Sequence, residues 1–161
     1  MCALAFGLVP PERQSAVAGF IKSRGMACSV YGAQYLLESL YLHGEEQAAL
    51  ELMRARHDRS WWNMIAAGST MTLEAWDYTY KNNLDWNHAW GAVPANIIPR
   101  FLMGIRPLTP GFDEVLIQPN PADLQQAQVK HPSPFGPVSL SFETQGDSVF
   151  LMYLDVPAGM H

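Results

Sequence analysis

With 161 residues, 48% hydrophobic and 16% charged, the chain is long enough to bury a core and too apolar for disorder. A net charge of −5 without clustered Lys and Arg excludes a surface that displaces counterions from nucleic acid. Cys2 and Cys28 match no CxxC or zinc spacing and read as buried free thiols, and no apolar run approaches the ~18 residues of a membrane span, so neither nucleic acid nor membrane is an expected partner.

The opening MCALAFGLV lacks a basic leader and meets Pro10-Pro11, so it reads as the last turns of a helix rather than a signal peptide. In PPERQSAVAGFIKSRG the helix signals are orderly: Pro11 in the first turn, Glu12 near the positive dipole end, Val17, Phe20 and Ile21 as the apolar set, and Gly25 as terminator. SVYGAQYLLESLYLHG predicts a second helix ending at Gly44, and EEQAALELMRARH a third, with Ala48, Ala49, Leu52 and Met53 on one face. The tight Gly44 connection makes these two an antiparallel hairpin. Residues 57–88 lose clean periodicity and read as a long connection with a short helix around Glu74. Helical patterning resumes in AWGAVPANIIPRFLMG, where Pro94 and Pro99 imply a start or kink, and Gly104 ends it.

Beyond Gly104 the pattern becomes short β-rich runs between Pro, Gly and Asn turns. In VSLSFE, Val138, Leu140 and Phe142 alternate with Ser139, Ser141 and Glu143, the mark of a half-buried strand, and TQGD then predicts a hairpin turn. Helices over residues 1–104 followed by antiparallel strands over 105–161 make the fold α+β by segment, two packed units rather than a βαβ sheet. The chain opens inside a helix and holds too few strands for a two-sheet sandwich, so it reads as a piece of something larger.

All five tryptophans lie between residues 61 and 90, and TMTLEAWDYTYKNNLDWNHAW adds Glu74, Asp77, Asp85 and His88. Flat rings that stack on the C–H face of a pyranose, next to acids and amides that take its hydroxyls, are what a sugar site needs. The alternative is a plain aromatic cluster, a seam between the helical and β parts. Glu74 is the sharpest candidate acid. A capping-box role requires Ser or Thr three residues earlier, and Met71 stands there, which leaves a solvated helix acid as the competing reading. On a helix Asp77 would share Glu74's face and raise one of the two pKa values; equally, it would bond a sugar hydroxyl or a backbone amide. His88, beside Asn87, is either a substrate contact or a satisfied structural histidine. No HExxH, P-loop, GxGxxG or GxSxG occurs, so no metal or cofactor is implied.

STMTLEAWD, followed by LDWNHAWGAVPANIIPRFLMGIRPLTPGFDEVLIQPNP, resembles the C-terminal catalytic region of bacterial α-L-rhamnosidases, glycoside hydrolase family 78. The shared series is a Thr-rich turn, a Trp-Glu-x-Trp core, an Asn-His pair, a helix, a Gly-Ile-Arg-Pro exit and a Pro-Gly-Phe entry into a β-sandwich. Upstream, ALAFGLVPPE, YGAQYLLESLYLHGEEQAALELM and SWWNMIAAGST are similar to the preceding helices of that family's (α/α)6 barrel. The resemblance implies the last hairpins of such a barrel followed by part of the sandwich.

It also implies an inverting glycosidase acting on a rhamnose-containing oligosaccharide, polysaccharide or glycoside. In such enzymes one acid protonates the leaving oxygen, and a second carboxylate, roughly 6.5–9.5 Å away, activates water. Glu74 matches the general base, Trp76 the second motif tryptophan near the sugar and His88 the substrate-contacting histidine, with Asn87 its companion; Asp77 and Trp62 complete the substrate-binding candidates. The family's general acid belongs to earlier barrel segments, so the chain alone is expected to be inactive and to need those missing segments or to self-associate. Leu73 departs from the family's tryptophan, and Asp85-Trp86 from the residues usual before Asn-His, which puts the sugar's identity in question. The competing function is a carbohydrate-binding or scaffold module without catalysis.

Overall fold

A computed structural model describes residues 1–146 and 149–161. It forms two compact units, Met1–Ile97 and Ile98–His161.

The first unit is helical. After the short α1 (Cys2–Ala5), α2 spans Pro11–Arg24, with Pro11 at its first turn and Gly25 at φ +55° as its terminator. Ala18 and Ile21 are the residues α2 buries, whereas Phe20, expected on the apolar side, is 66% exposed. The centre of the unit is α3 (Ala33–Leu42), whose Ala33, Leu36, Leu37 and Leu40 are all buried. The buried hydroxyl of Ser39 donates toward the Tyr35 carbonyl at 2.6 Å and the Met1 carbonyl at 3.0 Å, which ties α1 to α3. The chain reverses at Gly44, φ +73°, into α4 (Glu46–Met53), and Lys22 of α2 pairs with Glu45 at the start of α4. Ala48 and Ala49 of α4 are buried as expected, together with Leu50, while the expected Leu52 and Met53 are half-buried.

Residues 57–88 hold a helix that their lack of periodicity conceals. In α5 (Trp61–Ala66) the fully buried Ser60 accepts the Asn63 amide at 3.1 Å and donates to the His57 carbonyl at 2.6 Å. That is an N-cap, and it satisfies a donor the first helical turn leaves open. The helix expected around Glu74 does not form, and residues 70–88 run as bends and turns. A 3-10 turn (Ala89–Gly91) and α6 (Val93–Ile97) close the unit, with Pro94 in the first turn of α6. No helix among the described residues is long and apolar enough to cross a membrane.

The second unit opens with a π-helical turn (Ile98–Leu102) around Pro99. Strands β1 (Ile105–Pro107) and β2 (Val115–Ile117) pair antiparallel, with Ile105 opposite Ile117. Gly104 brings them together: its φ is +71°, and a Cβ there would stand 1.8 Å from the Gln118 carbonyl oxygen. A second, three-stranded sheet is an antiparallel meander of β3 (Gln126–Ser133), β4 (Gly136–Gln145) and β5 (Val149–Asp155), with β4 central. Val138, Leu140 and Phe142 of β4 are buried while Ser139 and Ser141 are half-exposed, so the alternation in VSLSFE sets the sheet's faces. His131 on β3 packs against the Phe112 ring at 5.7 Å, and burial lowers its pKa. Of the TQGD turn, Asp147 lies outside the described residues.

Candidate functional site

The site belongs to the first unit, in the segment between α5 and α6. Two stretches of it run side by side: the His88 amide donates to the Thr72 carbonyl at 2.9 Å, the Thr72 hydroxyl to the His88 carbonyl at 2.7 Å, and the Glu74 amide to the Asp85 carbonyl at 3.0 Å. Gly91 lets them close, since a Cβ there would meet the Leu73 carbonyl oxygen at 2.8 Å. Residues 75–84 therefore leave and return through a tied neck. Buried Leu73, Trp76 and Leu84 hold the loop to the core.

Trp76 is 2% exposed. Its indole N–H donates to the Cys28 carbonyl at 2.7 Å, and its ring stands edge-on to Trp61 at 5.2 Å. Trp61 in turn donates to the Gly91 carbonyl at 2.7 Å. Trp76 is thus buried and Trp61 half-buried, both hydrogen-bonded, and Trp76, expected near the sugar, leaves little ring surface to solvent. Trp62 is 44% exposed, with the Arg56 guanidinium 4.4 Å over its ring, and Trp86 and Trp90 are also exposed. Trp86 bonds the Tyr78 hydroxyl, while Trp90 packs against Tyr31 and against the His88 ring at 4.4 Å.

Asp77 does not share a helix face with Glu74. Its carboxylate accepts the Thr79 amide at 2.7 Å and the Asn63 side-chain amide at 3.1 Å, and its carbonyl receives the Tyr80 and Lys81 amides. This is an Asx-type turn, with α5 holding the aspartate from behind through Asn63. Desolvation pushes the Asp77 carboxyl up, but the bonds from Thr79 and Asn63 together outweigh it and leave its pKa lowered.

The turn delivers Lys81 to Glu74. Lys81 Nζ donates to Glu74 Oε1, and the Asp85 amide donates to Oε2 at 3.2 Å. The lysine bond foremost, then the Asp85 amide, holds the Glu74 carboxyl below its ordinary value of 4.5. The mutual repulsion with Asp77 expected from a helix is replaced by charge-assisted bonds that favour the anion. Asp85 also reaches His88, Oδ2 to Nδ1 3.5 Å. Glu74, Asp85 and His88 offer donor atoms within 4.8 Å of one another, but the Lys81 ammonium already supplies the positive charge at Glu74, so the group is an ion network rather than a metal cradle.

Glu74, Trp76, Tyr80 and Lys81 line a cavity of about 360 Å³ together with Arg59 and Cys28. Burial pushes the Cys28 thiol up to about 11, so it faces the cavity as a neutral group. Arg59 lies 4.7 Å over the Tyr80 ring, and the Tyr80 hydroxyl bonds Asp58. His88 is half-buried and Asn87 exposed, both beside the neck that carries Glu74. An ionised, oriented carboxylate at the wall of a hollow can accept a proton from water. Reasoning from sequence did not find Lys81 or Asn63; the aspartate followed two residues later by threonine is the signal that marks the turn.

No curated protein matches the chain at a significant level. Among solved structures, α-L-rhamnosidase from Dictyoglumus thermophilum superposes with a TM-score of 0.82 at 21% identity, over 98% of this chain and 19% of its own. Streptomyces avermitilis α-L-rhamnosidase, complexed with L-rhamnose, gives 0.82 at 26% identity over 98% and 17%. The enzyme from Aspergillus terreus gives 0.85 at 26% over 98% and 20%. The chain thus spans about a fifth of the length of these proteins. Residues 1–102 match the bacterial α-L-rhamnosidase six-hairpin glycosidase domain, and residues 104–161 the bacterial α-L-rhamnosidase C-terminal domain. With both of its parts matched in order, the chain belongs to the bacterial α-L-rhamnosidase family.

Proposed function

We propose that this chain carries the water-activating half of an inverting α-L-rhamnosidase site, with residues 1–104 as the closing helices of the (α/α)6 barrel and 105–161 as part of the β-sandwich. Glu74 is the general base. The observation that supports this most strongly is the state of its carboxylate: anionic and fixed at both oxygens, beside a cavity, in the segment that matches the glycosidase domain. Each oxygen keeps a second lone pair for a water.

During hydrolysis the water oxygen bonds to the anomeric carbon while a water proton passes to Glu74. The bond to the leaving oxygen breaks as an acid from another segment of the complete glycosidase protonates it. His88 and Asn87 contact the sugar, and exposed Trp62 is the tryptophan candidate for stacking, while Trp76 and Asp77 support the loop from behind. The substrate is a terminal α-L-rhamnosyl unit on an oligosaccharide, polysaccharide or glycoside. In the complete glycosidase, Glu74→Gln should lower kcat by about 10²–10⁴-fold with KM nearly unchanged. Lost affinity at unchanged kcat would favour a carbohydrate-binding module instead.

A further inference from the structure

We propose that Lys81 is a positioning residue of this site, an ammonium that the Asp77 turn delivers onto Glu74 so that the base stays ionised and aimed while it takes a proton from water. The inference rests on the reading of Glu74 as general base.

A surface ion pair between two long side chains is ordinarily worth little, because both must be immobilised to form it. Here the ordering is done by other bonds. Asn63 of α5 holds Asp77, Asp77 holds the Thr79 amide, and the Asp77 carbonyl takes the Lys81 amide at 3.3 Å, so the lysine's backbone is fixed before its side chain reaches out. Glu74 is fixed independently, through its own amide on the Asp85 carbonyl and through Oε2 on the Asp85 amide. Lys81 bonds the remaining oxygen. The pair is also partly withdrawn from solvent, with the lysine side chain 39% and the glutamate side chain 21% exposed.

The groups around Glu74 are few. Lys81 faces it from its own loop and Asp85 and His88 from the returning stretch, while Arg59, Tyr80 and the neutral Cys28 line the same cavity. Lys81 is the cation bonded to it. Its effect is a compromise, since an anion stabilised by an ammonium is a weaker base but is present in full at lower pH. The carboxylate's plane is set as well, and a small misplacement of a reacting group is costly in rate.

The first test is carboxyl NMR of the 161-residue chain with ¹³C-labelled glutamate, titrated without substrate. Glu74 is expected to titrate below the exposed glutamates; Lys81→Met should move it up among them, and Lys81→Arg should keep it low. In the complete glycosidase, Lys81→Met should shift the acidic limb of kcat/KM to higher pH. It should also lower kcat at neutral pH by about ten- to a hundredfold with KM little changed, and Lys81→Arg should recover most of the loss. A wild-type Glu74 that titrates with the other glutamates, or a Lys81→Met profile that keeps its acidic limb, overturns the proposal. If Lys81→Met loses its folded amide spectrum, the wild-type titration and Lys81→Arg decide. The titration does not depend on turnover, so it can fail separately from the rhamnosidase reading, which stands or falls with Glu74→Gln.

Discussion

Replacing Gly104 with alanine puts two different costs on one backbone position. At φ +71° any side chain is strained, by about 1–2 kcal/mol. The added Cβ would also lie 1.8 Å from the Gln118 carbonyl oxygen and 2.7 Å from the Pro119 nitrogen, where ordinary contact begins near 3.4 Å. No side chain can rotate out of the way, because the obstructing atoms are backbone. Relief means moving the end of β2 by more than about 1 Å, which overpacking data put at about 1–3 kcal/mol. That movement also strains the 3.0 Å bond from the Gln118 amide to the Gly104 carbonyl, worth about 1 kcal/mol. Gly104→Ala is therefore expected to destabilise the second unit by about 3–6 kcal/mol. Gly111 in the same unit isolates the first cost, since its φ is +82° but the nearest atom to a Cβ is 4.0 Å away, and Gly111→Ala should cost only about 1–2 kcal/mol. Urea unfolding combined with hydrogen exchange at the β1 and β2 amides reads this unit directly. Equal losses from the two variants would refute the steric argument.

Two further expectations follow from the first unit. Ser60→Ala removes a hydroxyl that caps α5 and bonds the His57 carbonyl, and should cost about 1–2 kcal/mol in urea unfolding followed by tryptophan fluorescence; because Asn63 of α5 holds Asp77, it should also loosen the Lys81 turn, seen as faster exchange of the Thr79 amide. The pKa values of Glu74, Asp58 and Asp77 are depressed on folding: by Lys81, by Tyr80, and, for Asp77, by bonds that outweigh its desolvation. A depressed carboxylate stabilises the fold fully above its unfolded value and loses that contribution as pH falls through its folded value. Stability should thus decline below about pH 4.5, the ordinary glutamate value, and Glu74→Gln should flatten the upper part of that decline in acid unfolding monitored by circular dichroism.

Elements governed by neighbouring residues were legible in the sequence. Pro11 and Gly25 bound α2, Gly44 turns α3 into α4, and the alternation from Val138 to Phe142 faces β4 inward, each through a conformational or periodic rule acting within a few residues. The α5 helix was not, because six residues give less than two turns of periodicity and its signal is one capping serine. Glu74 was expected on a helix, since its neighbours tolerate one; Asp77 instead captures the Thr79 amide and starts a turn. Trp76 was placed near the sugar by its position in the family motif, whereas its burial was not legible, because its indole bonds a carbonyl 48 residues away, at Cys28. The bond from Lys81 to Glu74 is likewise a product of the turn, not of any sequence period.

The central claim is that Glu74 accepts the proton of the attacking water. It is tested most directly by measuring turnover of an aryl α-L-rhamnoside by the complete glycosidase carrying Glu74→Ala, with and without added azide. The account predicts a kcat lowered by about 10²–10⁴-fold and partly restored by azide, an anion that needs no base, with the β-configured rhamnosyl azide as product. A Glu74→Ala enzyme that turns over at the wild-type rate, or whose defect lies in KM alone, would contradict it.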